Sequence, residues 1–240
     1  MKSWQLHNGY TIYQLLHQRS NAFLIHTGRD YLMVDTGISW ARRALAARLQ
    51  ELRVPEDGIK YLILTHTHFD HCGSARYIVN HFKASAIVHA CESFYLEGGF
   101  SPLPQGATPL TKIVSRIGML LQPLFTVPKL RPAILVDRLF PMQALGYDID
   151  IIQTPGHSPG SVSVLVNHEI ALVGDALFGV YAHSVIPPFY NDFDLLAGSM
   201  KKLADSGCRL YLPGHGREIT GQRLKAQCDR LALPSYFPAR

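Results

Sequence analysis

The chain has 240 residues, of which 47% are hydrophobic, 10% aromatic and 17% charged. This length predicts one domain, residues 1–240, and the apolar share excludes a disordered or fibrous protein. The formal charge of +5 is spread along the chain, and no run of lysine and arginine is interleaved with aromatic residues. We therefore predict no nucleic-acid partner. The sequence contains 12 histidines, and because histidine binds metals, their positions bear most on function.

The cysteines and the first residues indicate the compartment. The 4 cysteines form no Cys-x-x-Cys pair, which is typical of reduced thiols in a chain of this length. The N-terminal residues are too polar for a signal peptide, and no window approaches about 18 uninterrupted apolar residues. We therefore predict a cytoplasmic protein with no membrane partner.

The first half of the chain predicts short strands that then alternate with helices. Runs of apolar, β-branched and aromatic residues predict strands over residues 10–16, 22–26, 31–34, 61–64 and 86–88. Apolar residues at helical spacing predict helices over 40–52 and 73–82. Ser39 precedes the first of these helices and is expected to cap it.

The second half repeats this logic. Strands are predicted over residues 149–152, 162–166, 171–173 and 208–212. Helices are predicted over 193–203, with Asp192 as the N-cap, and over 222–231. Strands in hairpins, followed by strands that alternate with helices, predict an α/β (α+β) fold of two mixed sheets with the helices outside them.

One segment, residues 92–132, does not follow this rhythm and is predicted to be an insertion. It contains six prolines and a predicted helix from Pro109 to about residue 121, with Thr108 at its start. Residues 113–130 form the most apolar stretch of the chain. This stretch could be a lid over the site or a contact in a homodimer, and the sequence does not choose between them.

The segment Thr65-His66-Thr67-His68-Phe69-Asp70-His71 carries the strongest chemical signal. It follows a predicted buried strand, where the chain leaves the sheet. His66 and His68 are two residues apart and point the same way on an extended segment. Asp70 and His71 then add a carboxylate and a third imidazole, so four ligand-type side chains cluster together.

Three further ligand-type residues stand in the same context. Each follows an apolar run and is next to a glycine that allows a sharp turn at the end of a strand. These residues are His157, Asp175 and His215. Each alone would be read as an ordinary loop residue, but together with the first cluster they complete two metal sites.

In their order and their strand-end positions, these residues resemble the metallo-β-lactamase superfamily. The resemblance covers the chain from Asp35 to His215. It implies a four-layer αββα sandwich with metals at one edge, between the two sheets. It also implies that one metal is bound by His66, His68 and His157. The second metal would be bound by Asp70, His71 and His215, with Asp175 bridging both.

Imidazole and carboxylate ligands without thiolate suit two zinc ions, although iron or manganese is chemically possible. A pair of such cations would activate a water for attack on a carbonyl. Asp70 is the predicted catalytic residue, which would orient the nucleophile and pass a proton to the leaving group. Asp35 could orient a metal-binding histidine or cap its own turn. Cys72 is interpreted as a core residue or as one that supports the ligands from behind, because the family pattern does not use its position as a ligand.

The segment from Asp175 to Phe178 resembles the Asp-x-Leu-Phe segment of glyoxalase II and related thioester hydrolases, although the glutathione-binding helical domain of those enzymes is not found. Acyl-homoserine lactonases tend to have a tyrosine where this chain has Phe178. The resemblance therefore implies a hydrolase that acts on a small-molecule ester, thioester or lactone.

Two alternatives stay open at this point. One is a mononuclear-iron thiol or persulfide dioxygenase on the same scaffold. The other is a non-catalytic binding protein that retains the metal site.

Overall fold

The computed structural model describes residues 1–17, 19–122 and 125–232. The chain divides into two compact units. The first unit contains Met1–Leu103 and Leu120–Val136, and the second contains Pro104–Met119 and the chain from Asp137 onward. Each unit has a β-sheet and helices of its own.

The sheet of the first unit has seven strands in sequential order. These strands are β1 (Lys2–Gln5), β2 (Thr11–Leu16), β3 (Ala22–His26), β4 (Tyr31–Val34), β5 (Ile59–Ile63), β6 (Ser85–His89) and β7 (Ile134–Val136). Strands β1 to β4 are antiparallel, and β4 to β7 are parallel. The parallel part requires helical crossovers, which begin after β4.

The helices of this unit follow the strands closely. They are α1 (Arg42–Glu51), α2 (Phe69–Cys72), α3 (Ala75–Phe82) and α4 (Ala90–Gly98). Leu45 of α1 and Ile78 of α3 pack with Leu62 of β5 in the main apolar cluster of the unit. The prediction that Ser39 caps the first helix is wrong. Residues Ser39–Ala41 form a 3-10 turn, and α1 begins after Ala41 without a side-chain cap.

The second unit contains a six-stranded mixed sheet. Its strands are β8 (Leu139–Pro141), β9 (Ile149–Gln153), β10 (Val162–Val166), β11 (Ile170–Gly174), β12 (Leu210–Pro213) and β13 (Ile219–Thr220). They lie in the order β13-β12-β11-β10-β9-β8. Its helices are α5 (Pro109–Leu120), α6 (Phe193–Asp205) and α7 (Gly221–Arg230). Only β11 and β12 pair in parallel, and α6 lies between them in the chain as the crossover.

Two predicted helix starts are confirmed by their hydrogen bonds. The Asp192 carboxylate accepts from the backbone N–H of Leu195 at 2.9 Å, three residues into α6. The Thr108 hydroxyl accepts from the backbone N–H of Thr111 at 3.2 Å in the first turn of α5. Both contacts satisfy an amide at a helix N-terminus, which has no partner within the helix.

The predicted α/β class with two mixed sheets is confirmed. The predicted strands and helices are present, with ends shifted by at most two residues. The elements that the sequence-based prediction missed are short or lie in the predicted insertion. They are β1, α2, α4, β7, β8 and β13.

The insertion predicted over residues 92–132 contains α4 from residue 92 onward and the whole of α5. One face of α5 is apolar and exposed, with Leu110 at 72% and Leu120 at 82% exposed. Residues 123 and 124 of the predicted lid or dimer contact lie outside the described residues. Its role stays a prediction, as does the single domain 1–240. Among the described residues, no helix is long and apolar enough to cross a membrane.

Candidate metal centre

Four predicted ligands lie together in the first unit, at the end of β5, and form the first ligand set. His66 and His68 lie on the extended chain that leaves β5, whereas Asp70 and His71 lie on the single-turn helix α2. The His66 ring centroid is 4.4 Å from that of His68 and 4.1 Å from that of His71. Ligand atoms of Asp70 and His71 lie within 4.8 Å of each other. The fold thus concentrates three imidazoles and a carboxylate at one strand end.

The buried Asp35 carboxylate holds this loop from the end of the neighbouring strand β4. Its Oδ1 accepts from the backbone N–H of Thr65 at 2.8 Å, and its Oδ2 accepts from the Thr65 hydroxyl at 2.8 Å. Oδ2 also lies 2.8 Å from Nδ1 of His71. Asp35 therefore orients a predicted ligand through its side chain. It does so with φ at +57°, a conformation that aspartate tolerates better than most residues.

These contacts fix which ring nitrogens carry the proton in His66 and His71. A carboxylate only accepts, so Nδ1 of His71 is the donor to Asp35. The single hydroxyl proton of Thr65 is donated to Asp35, so Nδ1 of His66, 3.1 Å from that hydroxyl, is the donor to Thr65. In both rings the lone pair is then on Nε2. Metal-ligating histidines typically have their other nitrogen held by a protein acceptor in this way.

The sequence-based prediction missed a second carboxylate behind the first ligand set. Glu92, fully buried in the first turn of α4, accepts at Oε2 from the backbone N–H of Thr67 at 3.1 Å. The same oxygen accepts from the Thr67 hydroxyl. Glu92 therefore holds the one residue between His66 and His68. An acid three residues after a buried strand was the available signal, but it lay at the start of the predicted insertion.

Cys72, next to His71, is a core residue, as predicted. Its thiol donates to the backbone carbonyl of His68 at 3.3 Å, and its side chain lies in the apolar cluster of the unit. Burial raises the pKa of the Cys72 thiol well above its usual value. Cys72 therefore has the apolar surroundings of a core thiol.

Three predicted ligands lie in the second unit and form the second ligand set. His157 follows β9, and its Nδ1 lies 2.9 Å from the backbone carbonyl of Phe189, so this ring also has its proton on Nδ1. The preceding Gly156 has φ at +128°, and a Cβ there would lie 2.3 Å from the backbone nitrogen of Leu196. Only glycine allows the loop that carries His157 to pass this close to α6.

Asp175 and His215 are brought together by the parallel pair β11 and β12. The backbone N–H of Gly214 donates to the Gly174 carbonyl at 2.6 Å, and that of Gly179 donates to the His215 carbonyl at 2.9 Å. Oδ2 of Asp175 lies 3.3 Å from Nε2 of His215 and 3.6 Å from Nε2 of His157. Within this unit, Asp175 thus lies between two imidazoles, and its role as a bridging ligand stays a prediction.

The donor chemistry and burial of both ligand sets fit metal binding. His66, His68, His71, His157 and Asp175 are each at most 7% exposed. Ionisable side chains are rarely buried this deeply unless they are paired or coordinate a metal. Imidazole and carboxylate donors suit divalent transition metals. The assignment of each residue to a particular metal stays a prediction.

The family of the chain follows from comparison with known proteins. The family model described as the metallo-beta-lactamase superfamily matches residues 17–215, which include both ligand sets. The chain belongs to this superfamily. Its class is that of a metallo-hydrolase.

Curated relatives show which enzymes the chain is similar to. It is 26% identical to the probable metallo-hydrolase YflN of Bacillus subtilis (strain 168), with 92% of this chain and 89% of the relative covered. It is 29% identical to the hydroxyacylglutathione hydrolase GloC of Haemophilus influenzae, over 80% and 82% of the two chains. It is 28% identical to the acyl-coenzyme A thioesterase MBLAC2 of Gallus gallus, over 86% and 76%.

Solved structures show the fold. The BLEG-1 B3 metallo-beta-lactamase superposes with a TM-score of 0.68 at 22% sequence identity, over 92% of this chain and 99% of the other. This likeness confirms the metallo-β-lactamase fold that was predicted from the sequence.

Proposed function

We propose that this chain is a dinuclear zinc hydrolase that cleaves a small thioester, ester or lactone. The observation that carries the proposal is the way in which the protein holds one ring nitrogen of three imidazoles. His66, His71 and His157 each have Nδ1 held by a protein acceptor. This arrangement directs the lone pair of each ring to Nε2, the atom that would bind the metal.

The seven donors divide between two metals under this proposal. His66, His68 and His157 would bind one ion, and Asp70, His71 and His215 the other, with Asp175 shared. Nitrogen and oxygen donors without thiolate favour zinc, and iron or manganese is the chemical alternative. When bound, the ions supply Lewis acidity that activates water and polarises a carbonyl.

The protein's own residues position these donors and move the proton. Asp70 lies on α2, partly exposed, and its carboxylate would accept the proton of the attacking water and return it to the leaving group. Asp35 and Glu92 are buried acceptors that hold Thr65 and Thr67, one on each side of His66. They act as positioning residues, since each contacts a backbone N–H of the ligand-bearing loop.

A thioester is the favoured substrate class. Two of the curated relatives have names that denote thioester hydrolases, the hydroxyacylglutathione hydrolase and the acyl-coenzyme A thioesterase. The segment from Asp175 to Phe178 has the pattern that resembles such enzymes. The Phe178 ring packs against the His215 ring with centroids 5.5 Å apart, which gives this ligand an apolar neighbour.

The test combines metal analysis with a substrate panel. Protein purified without added metal should contain close to two zinc ions per chain and should hydrolyse thioesters faster than oxygen esters or lactones. Asp70→Asn should reduce kcat by roughly 100-fold or more, the range typical of a lost general acid–base. Asp194→Asn, an exposed acid in α6, is the matched control and should keep full activity.

Two results would contradict the proposal. A single iron per chain with oxygen uptake would identify the thiol or persulfide dioxygenase instead. Metal binding with no turnover across the whole panel would favour a non-catalytic binding protein.

A further inference from the structure

The first unit contains a cavity that includes none of the seven predicted metal ligands. It has a volume of about 450 Å³, which is within the range of roughly 300–1,000 Å³ typical of small-molecule sites. The side chains that matter for its chemistry come from the start of α1, the start of α3 and the exposed side of α3. They are Arg42, Ser74, Arg76, Tyr77, Asn80 and His81.

The charged side chains that line the cavity are two arginines, Arg42 and Arg76. None of the described aspartates or glutamates lines it. Within residues 1–17, 19–122 and 125–232, neither guanidinium has an ion pair or a hydrogen bond. Two arginines without counter-charges in one concavity favour an anionic ligand, because guanidinium groups bind oxyanions through two parallel hydrogen bonds.

Ser74 lines the cavity and has a buried hydroxyl. Ser74 is 1% exposed; its backbone N–H donates to the Thr36 hydroxyl at 3.0 Å, and its carbonyl accepts from Ile78 at 3.2 Å. Its own hydroxyl has no hydrogen-bond partner in the described part of the chain. Burial of an unpaired hydroxyl is costly, so a ligand that contacted this oxygen would remove a penalty that the empty cavity leaves in place.

The two helix starts at this cavity are held close together. The backbone N–H of Gly73 donates to the Gly37 carbonyl at 3.0 Å, and a Cβ on Gly73 would lie 2.3 Å from the backbone nitrogen of Ser39. The chain before α1 therefore packs directly on the chain before α3. A helix N-terminus carries partial positive charge, which adds to that of the two arginines.

We propose that this cavity binds the phosphate group of a small molecule. The residues that line it include two arginines, Ser74, Asn80 and His81, whose side-chain donors together exceed what the two oxygens of a carboxylate can accept. A phosphate offers three or four oxygens and more charge. Tyr77 and His81 stack with centroids 5.3 Å apart and add a planar wall beside the donors.

Isothermal titration of the full-length protein as purified tests this site, with inorganic phosphate, adenosine 5′-monophosphate and adenosine as the three probes. The two phosphates separate a free anion from a phosphorylated molecule as the source, and binding of either supports the proposal. Arg42→Ala combined with Arg76→Ala should weaken binding roughly 100-fold, about tenfold for each lost charged contact. Because both arginines are exposed, circular dichroism should show an unchanged fold.

Matched variants separate this cavity from the metal centre, which also attracts anions. Arg43→Ala, next to Arg42 but outside the cavity, should leave binding unchanged. Ser74→Ala should weaken phosphate binding several-fold without lowering the melting temperature, since the hydroxyl has no partner to lose. Binding that survives the double arginine substitution, adenosine that binds as tightly as its monophosphate, or no saturable binding of either phosphate would each overturn the proposal.

Discussion

Glu92 accepts hydrogen bonds from both the backbone N–H and the hydroxyl of Thr67, the residue that separates His66 from His68. Twenty-five residues separate the two partners in sequence, yet this contact determines where the His-x-His segment lies. Because Glu92 is fully buried, its charge is balanced by these donors and by its position in the first turn of α4.

Glu92→Gln should therefore lower the affinity of the centre for metal, although Glu92 is not a predicted ligand. The glutamine keeps the size of the side chain but loses the charge, so we expect metal affinity to fall about 10–100-fold, as for other residues that orient ligands. The free energy of unfolding should fall by about 1–3 kcal/mol. Glu97→Gln, an exposed position in the same helix, is the control. Chelator competition and urea unfolding of both variants measure these effects, and equal zinc retention in the two would contradict the role of Glu92.

Asp35 holds the same loop through Thr65 and His71. Its replacement by asparagine tests whether the carboxylate keeps the proton of His71 on Nδ1. Asparagine tolerates the left-handed backbone at this position, so the turn should be retained. An amide cannot accept from His71 and Thr65 as a carboxylate does, so metal affinity should fall about 10–100-fold. Asp57→Asn, in an exposed loop, should have no effect. If Asp35→Asn binds zinc as tightly as the wild type, Asp35 only caps its own turn and does not orient His71 for metal binding.

The positions of the predicted ligands in the fold could be inferred from the sequence because each one follows a strand that its neighbours already identify. The apolar run before His66 and the glycines beside His157 and His215 are local signals. Glu92 could not be predicted in the same way, since its partner Thr67 is brought to it only by the parallel pairing of β5 and β6. Strand β7 has three residues, and its pairing with β6 rather than its own pattern defines it.

The wrongly predicted N-cap at Ser39 shows a different limit of prediction from sequence. Serine before an apolar periodic run is a good local signal for an N-cap, but the chain here first makes a 3-10 turn. Gly73 packs so closely against Ser39 that a Cβ on residue 73 would not fit. Cys72 pairs with Gly37 in an isolated β-bridge. These tertiary contacts set the conformation of residues 37–41, and a local pattern does not contain them.

Gly156→Ala tests the close passage of the His157 loop over α6. The new Cβ would lie 2.3 Å from the Leu196 backbone, and φ is +128°, so the loop must shift. We expect a loss of about 2 kcal/mol or more in the free energy of unfolding, together with reduced metal retention. Gly198→Ala in the same helix is the matched control. It has open space and an ordinary helical backbone, so it should stabilise the protein by about 0.5–1 kcal/mol. Thermal and urea unfolding measure both, and a neutral Gly156→Ala would be inconsistent with this packing.

The reactivity of the thiols should follow their burial. Cys91 is exposed, whereas Cys72, Cys208 and Cys228 are buried, and burial raises the pKa of each of these three thiols. Native protein should therefore react with an aromatic disulfide reagent at one thiol per chain, and urea-unfolded protein at four. Cys91→Ser should abolish the native reaction. Rapid labelling of Cys72 in the metal-bound protein would show that this thiol is not part of the core.

Tyr211 should make the protein less stable in alkali. Its side chain is fully buried in β12, its hydroxyl donates to the Leu203 carbonyl at 2.6 Å, and burial raises its pKa from 10.0 to about 12. In the unfolded chain this tyrosine loses its proton near pH 10, whereas in the folded chain it keeps it. The unfolded state therefore gains relative stability as the pH rises through this interval.

The contribution of Tyr211 to stability is thus fully present below pH 10 and is lost between about pH 10 and 12. Tyr211→Phe removes this titration together with the hydrogen bond to Leu203, whose loss costs about 1 kcal/mol at pH 8, and the longer contact with the Ser206 hydroxyl at 3.5 Å. Urea unfolding at several pH values should show a smaller decrease above pH 10 for the variant than for the wild type. Tyr10→Phe, in the partly exposed loop before β2, is the control and should follow the wild-type profile. Parallel profiles for Tyr211→Phe and the wild type would mean that the alkaline loss originates from other groups.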